Sequence, residues 1–448
     1  MNPSRRVRSA TVLMLIACGS AVIVNAQSRR PPQRLLGVGT LPTAPTVAPA
    51  APSAADPFFD DSVLQELSLD INAKDWATLK ENFESNAYYP ADLRWRGQVV
   101  RNVGIRSRGT SSRSGTKPGL RVDFNRYSTG QTFLGLKSFV LRNNVTDATN
   151  LHERISMLFF RKMGIPAPRE THTRLTVNGI YAGLYSIVES LDQTFLAANY
   201  GSDSGYLYKF DRNVDDPPYY FEYLGPDPAA YVPHPFEPET HESDPHPQPI
   251  VDMMRTVQEA SPAAFRSAIA GLIDVTQFVR YIAVEMFLGD NDGFLGNAGS
   301  NNFYLYRPHD AALQALVPWD KSEAMHDGPL YPILHTLNDV PDANRNHLML
   351  RLMAQADLRA LYFNTLNAAA AAAIEPETEG GPGWMEREVD RELHQIKDAA
   401  IADPDKPFTD AQFDAAVNEV LKFARERSEF VASEVDRLDD TDAYWAIP

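Results

Sequence analysis

VTQFVRYIAVEMFLGDNDG, residues 275–293, is the stretch that decides the predicted fold class. Its largely apolar composition predicts a buried helix over residues 275–288, and Gly289 would end that helix. Strand patterns dominate the chain before this helix, whereas helical patterns dominate it beyond residue 335. Strands that come first and helices that come later, without regular alternation, predict an α+β fold rather than a doubly wound sheet.

The first half of the chain carries the strand signals. Alternating residues predict a strand over 62–71, and apolar patches cut by turn residues predict antiparallel strands over 88–126. Asn178-Gly179 is the strongest short turn signal in the chain, and it predicts a hairpin over 174–188. We therefore expect a β-rich N-terminal part.

Two features interrupt this strand pattern. Apolar residues at helical spacing predict a helix over 151–163, which Asp147 or Thr149 would cap and Gly164 would end. A long segment, residues 211–249, is rich in Pro, Asp, Glu and His and predicts a surface insertion.

The N-terminal residues predict a targeting signal and a tether. Arginines precede an apolar run over residues 10–24, as in a secretory signal. Cleavage after a small-residue site would remove residues 1–26, whereas a lipobox-like run before Cys18 would leave Cys18 as a lipidated first residue. Residues 27–57 are rich in Pro and Ala and predict an extended linker. We expect an exported bacterial protein without a transmembrane helix in its mature form: secreted, periplasmic or an outer-surface lipoprotein.

Composition excludes several classes of protein. The chain has 58 Asp and Glu against 42 Lys and Arg, a formal net charge of −16, whereas a general nucleic-acid binder needs a basic surface. A single cysteine excludes a disulfide framework, a Cys-ligated zinc site and an iron–sulfur cluster. Hydrophobic residues make up 44% of the chain, which is enough for a sizeable core.

An acidic cluster follows the apolar helix. Asp290 and Asp292 lie in the turn after it, and Asp320 follows two short strands predicted over 303–306 and 315–317. The same region also holds amide side chains, among them Asn291, Asn297, Asn301 and Asn302. Carboxylate and amide oxygens are the ligands that Mg²⁺ prefers, and in phosphoryl transfer they also orient the attacking hydroxyl. Asp-Asn-Asp-Gly is equally typical of a plain turn in which Asn caps neighbouring elements.

A loop between two predicted strands is rich in cations and hydroxyls. Its polar residues include Arg106, Ser107, Arg108, Thr110, Ser111, Ser112, Arg113 and Lys117. Backbone N–H groups, hydroxyls and cations in such a loop can cradle phosphates, but the same composition suits a solvated basic turn. The loop contains neither a P-loop nor a G-x-G-x-x-G pattern.

Taken together, these blocks resemble the CotH family, the spore-coat-type secreted kinases. They stand in the family's order over residues 58–327: VGIRSRGTSS (103–112) with Lys117, FLGLKS (133–138), Asp147 with LHER (151–154), GIPAP (164–168), VNG (177–179), GLYSIVE (183–189), NDG (291–293), NFYLY (302–306) and VPWD (317–320).

The resemblance implies an atypical protein-kinase-like fold that binds ATP with Mg²⁺ or Mn²⁺ and phosphorylates Ser or Thr. Residues 58–335 would form its core, and residues 336–448 a helical C-terminal part of the lobe or an extension. By position, Asp292 resembles the catalytic aspartate that accepts or orients the proton of the acceptor hydroxyl.

The resemblance also assigns the metal and the nucleotide. Asp320 resembles the metal-binding aspartate and Asn302 the amide ligand, for which Asn297 is a rival because it lies five residues after Asp292. The predicted nucleotide contacts are Arg108, Ser111, Ser112, Lys117 and Glu189, with Lys137 as a weaker candidate than Lys117.

Two positions depart from the family pattern. Thr110 stands where the family usually has Asn, and Ser322 stands where it usually has a second acid. One fewer carboxylate weakens a metal site. Two functions therefore remain: an exported kinase acting on secreted or cell-surface proteins, and a catalytically degenerate envelope or matrix protein with the same fold. Transfer to a carbohydrate or small molecule is a third, weaker possibility.

Overall fold

The computed structural model describes residues 53–211, 216–309, 314–335, 337, 340–341 and 344–439. The predicted signal over 1–26, Cys18 and the linker up to residue 52 lie outside these residues. Within the described part, no helix is long and apolar enough to cross a membrane.

Seven strands close into a barrel in the order β1-β2-β3-β4-β5-β7-β6. They are β1 (Gln65–Ile71), β2 (Tyr89–Trp95), β3 (Gln98–Ser107), β4 (Leu120–Asp123), β5 (Ser138–Arg142), β6 (Glu170–Val177) and β7 (Ile180–Glu189). Strands β1 and β6 pair in parallel, and the other neighbours pair antiparallel. Every second residue of β1 is buried, as its alternating sequence predicts. Edge-to-face aromatic contacts fill the barrel around Phe58, with Trp95, Phe133 and Phe139.

The hairpin and the helix predicted in this region are both present. Val177 pairs with Ile180 across Asn178 and Gly179, whose φ angles are 52° and 79°, as a two-residue hairpin turn requires. Helix α2 (His152–Lys162) begins after Asp147, whose carboxylate accepts from the His152 N–H at 3.0 Å. The remaining short helices near the barrel are α1 (Ala73–Glu81) and α3 (Gln193–Tyr200).

A second, four-stranded sheet has the order β11-β10-β8-β9. Its strands are β8 (Tyr206–Phe210), β9 (Phe236–Pro238), β10 (Phe303–Arg307) and β11 (Ala315–Pro318), and they pair antiparallel. Because β10 and β11 run in opposite directions, the residues before β10 lie beside those after β11. This pairing brings Asn302 and Asp320 to one end of the sheet.

Helices make up the C-terminal part. They are α4 (Gln248–Glu259), α5 (Pro262–Ile269), α6 (Val275–Phe287), α7 (His347–Met353), α8 (Ala356–Ala373), α9 (Trp384–Ile401) and α10 (Asp410–Asp439). Helix α6 is the predicted buried helix, with ten buried residues. One hydrophobic core joins α6 to α8 and α10, so the core continues across the boundary predicted after residue 335. The α+β fold, with a β-rich N-terminal part and a helical C-terminal part, is confirmed.

The predicted insertion over 211–249 differs from a surface loop. Phe221, Tyr231 and Phe236 are fully buried in the main core, and Phe236 begins β9. Polar and proline residues dominate the composition of this segment, but its aromatic side chains have large apolar areas to bury and pack into the core.

Candidate active site

A polar cleft of about 800 Å³ lies where the barrel, the start of α2 and the β10–β11 end of the second sheet meet. Six of the eight predicted site residues line it: Arg108, Ser111, Ser112, Asp292, Asn302 and Asp320. Lys117 and Glu189 do not line it. The cleft therefore joins the predicted metal and catalytic residues to the predicted phosphate loop.

Asp292 lies in the turn after α6, and two amides hold its carboxylate. Asn301 Nδ2 donates to both carboxylate oxygens at 3.1 and 3.2 Å, and Asn302 Nδ2 donates to Oδ2 at 2.7 Å. Burial raises the pKa of Asp292 to about 6, against the lowering effect of the Asn301 hydrogen bond. At neutral pH the carboxylate is therefore mostly ionised, with a pKa close enough to neutrality to suit a proton acceptor.

A buried ion cluster fixes the turn that carries Asp292. Lys321 Nζ lies 2.6 Å from Glu285 Oε1 and 2.9 Å from Asp290 Oδ2, and all three side chains are inaccessible to solvent. The Asp292 N–H donates to Asp290 Oδ1 at 3.1 Å, and the Phe294 N–H donates to Glu285 Oε2 at 2.8 Å. The ion cluster thus connects the end of α6, the acidic turn and the residue after Asp320.

Asp320 and Asn302 both have left-handed backbone conformations, with φ of 49° and 55°. Such angles are uncommon outside glycine, although Asn and Asp tolerate them best, and they cluster at functional sites. Lys321 Nζ also donates to the Asn302 carbonyl at 3.0 Å, which ties the two positions together. The fold therefore imposes the backbone geometry at both predicted metal ligands.

Arg142 is the cleft residue that the sequence interpretation missed. It ends β5, and its guanidinium lies 2.5 Å from Glu153 Oε2 and 2.7 Å from Asp320 Oδ1. Burial alone would raise the pKa of Asp320, but Arg142 and other donors more than offset it and hold that pKa below its usual value. A charged residue directly after the apolar run FVL of this strand is the available signal.

Three arginines of the basic loop line the cleft, and they differ in what holds their guanidinium groups. Arg113 donates to the carbonyls of residues 83–85, and Arg106 donates to Asn86 and Tyr88, so both hold a neighbouring loop. The guanidinium of Arg108 instead lies over Trp319, 5.6 Å from the ring centroid, and makes no ion pair among the described residues. Burial and the nearby charge of Arg142 lower the pKa of Arg108 to about 10, at which it is still protonated at neutral pH.

The other predicted residues have structural partners outside the cleft. Lys117 Nζ lies 2.7 Å from Asp403 Oδ2, with both side chains almost fully buried. Glu189 accepts from the guanidinium of Arg169. Lys137 contacts Gln193 at 2.6 Å, and Asn297 Oδ1 accepts from the Tyr331 hydroxyl at 3.1 Å. Of the two candidate amide ligands, the cleft contains Asn302 and not Asn297.

The donor set suits a divalent cation that arrives with phosphates. Among the residues that the structure describes, no group of three or more His, Cys, Asp or Glu side chains is arranged to hold a metal ion. Asp320 and the amide oxygen of Asn302 would supply two oxygen ligands. Mg²⁺ commonly uses one or two carboxylates together with substrate phosphates and water, so these residues fit a nucleotide-bound cation better than a bare one.

This chain is similar to a known family model, to a sequence relative and to a solved structure. The family model described as CotH kinase protein matches residues 105–431. The inner spore coat protein H of Bacillus subtilis (strain 168) is 23% identical over 385 residues, which cover 85% of this chain and 99% of that protein. The crystal structure of the Helicobacter pylori proinflammatory kinase CtkA aligns with a TM-score of 0.30 and 8% identity, covering 72% of this chain and 95% of that one.

Proposed function

The chain belongs to the CotH kinase protein family, and we propose that it is an exported kinase. It would use ATP with Mg²⁺, or Mn²⁺, and transfer the γ-phosphate to Ser or Thr side chains of secreted or cell-surface proteins. The observation that carries this proposal is the convergence of Asp292, Asn302, Asp320 and Arg108 on one polar cleft.

Each of these side chains has a distinct proposed role. Asp292, ionised and held by two amides, would accept or orient the proton of the acceptor hydroxyl. Asp320 and Asn302 would hold the divalent cation, which when bound supplies charge neutralisation to the phosphates. Arg108, which lacks an anionic partner among the described residues, would contact the phosphates, and the backbone and hydroxyls of Ser111 and Ser112 would complete that contact.

The nucleotide contacts of Lys117 and Glu189 stay predictions. In this structure Lys117 pairs with Asp403, and Glu189 pairs with Arg169. Arg108 is the cleft cation that would contact the phosphates in place of Lys117. Phosphoryl transfer requires positioned charge at the phosphates rather than a particular cationic residue, so an arginine can serve there.

Location outside the cytoplasm is part of the proposal. The arginines and the apolar run before residue 26 support export, and the name of the Bacillus subtilis relative supports a coat-associated or surface location. N-terminal sequencing of protein from its native host should find either a lipidated Cys18 or Gln27 as the first residue. An intact Met1 in a cytosolic fraction would contradict export.

A catalytically degenerate envelope or matrix protein is the second candidate function. Two observations favour it: Ser322 where the family usually has an acid, and a buried ion pair that engages Lys117. Such a protein would keep the fold and use its surface for assembly rather than transfer.

Two aspartate variants separate these candidates. In the wild type, ATP should raise the melting temperature only when Mg²⁺ or Mn²⁺ is present, with about 2.7 kcal/mol of stabilisation at a hundredfold excess over Kd. Asp320→Asn should lose this metal-dependent binding. Asp292→Asn should keep the binding and lose most transfer of labelled γ-phosphate, because the acceptor hydroxyl is no longer oriented.

The matched control is Asp70→Asn, which removes an exposed carboxylate of the barrel that pairs with Arg94. It should behave as the wild type in both assays. If millimolar Mg·ATP leaves the wild-type melting temperature unchanged, the result supports the catalytically degenerate protein over the kinase. If the wild type transfers phosphate and Asp292→Asn does so equally well, the role given to Asp292 is wrong.

A further inference from the structure

Arg142 places a fixed positive charge directly on the proposed metal ligand Asp320. Its Nη1 contacts Asp320 Oδ1 at 2.7 Å, and the Ser322 hydroxyl donates to the same oxygen at 3.2 Å. The Arg142 side chain is only 10% exposed, and its guanidinium lies over Trp319 at 5.2 Å from the ring centroid. One carboxylate oxygen of Asp320 is therefore already engaged by donors of the protein itself.

We propose that Arg142 is a positioning residue that excludes bare divalent cations from Asp320, so that the metal enters the cleft only together with the phosphates of the nucleotide. This inference rests on the metal role of Asp320 in the proposed function. It adds a condition on that site, which is that metal binding requires a polyanion.

The charges around Asp320 give the physical reason. A guanidinium on one carboxylate oxygen repels a divalent cation at the other, and this repulsion is only partly screened in a half-buried cleft. Arg108 adds a second positive charge near Arg142, since the two guanidinium groups lie 5.6 and 5.2 Å from the centroid of the same Trp319 ring. A triphosphate brings enough negative charge to offset both arginines and the cation, whereas water does not.

A second carboxylate, on the side of the guanidinium away from Asp320, also holds Arg142 in place. Glu153 of α2 contacts the Arg142 Nε at 2.5 Å, and the Glu153 side chain is 9% exposed. Among the described residues, the buried Nε and Nη2 of Arg142 make no hydrogen bond, so Glu153 holds the guanidinium as a close ion pair. Moving the guanidinium away from the cleft would leave Glu153 buried without its closest cation, so Arg142 does not yield readily to a bare metal ion.

The test measures binding of Mn²⁺ alone, by calorimetry on the full chain without nucleotide. The double variant Arg142→Gln with Glu153→Gln removes both charges of the buried pair and leaves no uncompensated charge, and it should bind Mn²⁺ at least tenfold more tightly than the wild type. Adding Asp320→Asn to that double variant should abolish the gain. Each variant is used only if it melts in one cooperative transition.

The single variant Arg142→Lys tests the same role if the double variant does not fold. It keeps a counter-charge for Glu153, but a lysine ammonium lacks the planar fork that bridges two carboxylates, so Asp320 should be released and Mn²⁺ affinity should rise several-fold. The inference is overturned if either folded variant binds Mn²⁺ no more tightly than the wild type, or if the gain survives Asp320→Asn.

The two proposals fail in different measurements. A wild type that does not bind ATP in the presence of metal would refute the proposed kinase, whereas the experiment on Arg142 contains no nucleotide. A kinase that binds Mg·ATP, with variants that gain nothing for bare Mn²⁺, would refute only the role of Arg142.

Discussion

Lys321 shows at the scale of one residue how the candidate site is held. The burial of its ammonium opposes ionisation, but the charges of Asp290 and Glu285 raise the pKa of Lys321 well above its usual value. The cation is thus the counter-charge for two carboxylates that have no access to water. One of these carboxylates also receives the backbone N–H of Asp292, so the position of the proposed catalytic group depends on this lysine.

Replacing this lysine should therefore be costly. We expect Lys321→Met to lower the free energy of unfolding by about 3–5 kcal/mol, because it leaves buried carboxylates without a cation. Urea denaturation measures the loss. The triple variant Lys321→Met, Glu285→Gln, Asp290→Asn should recover a large part of it, since no uncompensated charge remains. A single variant as stable as the wild type would show that the ion cluster is not needed for folding.

His172 supplies a second residue-scale prediction, on pH. Burial lowers the pKa of His172 to about 4 from its ordinary 6.5, and its Nε2 hydrogen donates to the Asn150 carbonyl at 2.7 Å. Below pH 6.5 the unfolded chain binds a proton at this position that the native state does not. The native state therefore loses stability as the pH falls from 6.5 toward 4.

The variant His172→Gln should remove this contribution while keeping a donor for Asn150. Given the two pKa values, His172 should cost the wild type about 2 kcal/mol in free energy of unfolding between pH 7.5 and pH 5. The variant should not show this loss. Equilibrium unfolding at the two pH values measures the change. Two parallel pH profiles would mean that His172 is protonated in the native state.

At the scale of elements, strand β7 carries a contact that joins the barrel to the C-terminal helices. Gly183 lies in β7 with φ of 128°, and a Cβ built there would lie 2.6 Å from the carboxylate oxygens of Asp403. Asp403 follows α9, accepts from the Leu184 N–H at 2.9 Å and pairs with Lys117. A glycine is therefore needed at this point for close approach as well as for its backbone angle.

Two glycine variants of this hairpin separate strain from contact. Gly179→Ala should cost about 1 kcal/mol, because φ is positive there but nothing lies within 4 Å of the added carbon. Gly183→Ala should cost about 3 kcal/mol or more, since it also displaces Asp403 from its buried ion pair. Chemical denaturation of both variants checks the difference. Equal costs would show that Asp403 moves aside without loss.

Local signals explain which elements were predictable from the sequence. The Asn178-Gly179 turn, the helix after Asp147 and the apolar helix before Gly289 each depend on neighbouring residues, and all three are present. In the candidate site, short motifs predict Asp292, Asn302 and Asp320, and all three line the cleft.

Partners far apart in the chain were not predictable in this way. Arg142 has no motif of its own, and its ion pair with Asp320 arises only when the barrel meets the second sheet. Lys117 matched a motif, but its ion pair with Asp403 depends on a loop near the other end of the chain. Sequence patterns report chemistry and local conformation, whereas these pairings depend on tertiary packing.

At the scale of the whole molecule, α10 completes the environment of α6. Arg427 of α10 is fully buried and donates to the carbonyls of Met286 and Phe287 at the end of α6, at 2.6 and 2.8 Å. It also donates to the carbonyls of Pro329 and Tyr331. The last carbonyls of a helix need partners, and a buried arginine supplies them here next to the turn that carries Asp292.

The boundary predicted after residue 335 should therefore not separate an independent domain. A shortened chain of residues 53–335 would expose the apolar side of α6 that packs on α8 and would leave the end of α6 without Arg427. We expect it to show no cooperative melting transition, whereas residues 53–439 should melt cooperatively, because that chain keeps every described helix. Calorimetry and circular dichroism of both chains make the comparison. Cooperative melting of residues 53–335 would establish a self-sufficient core, and the C-terminal helices would then be an appended extension rather than part of the fold that positions Asp292.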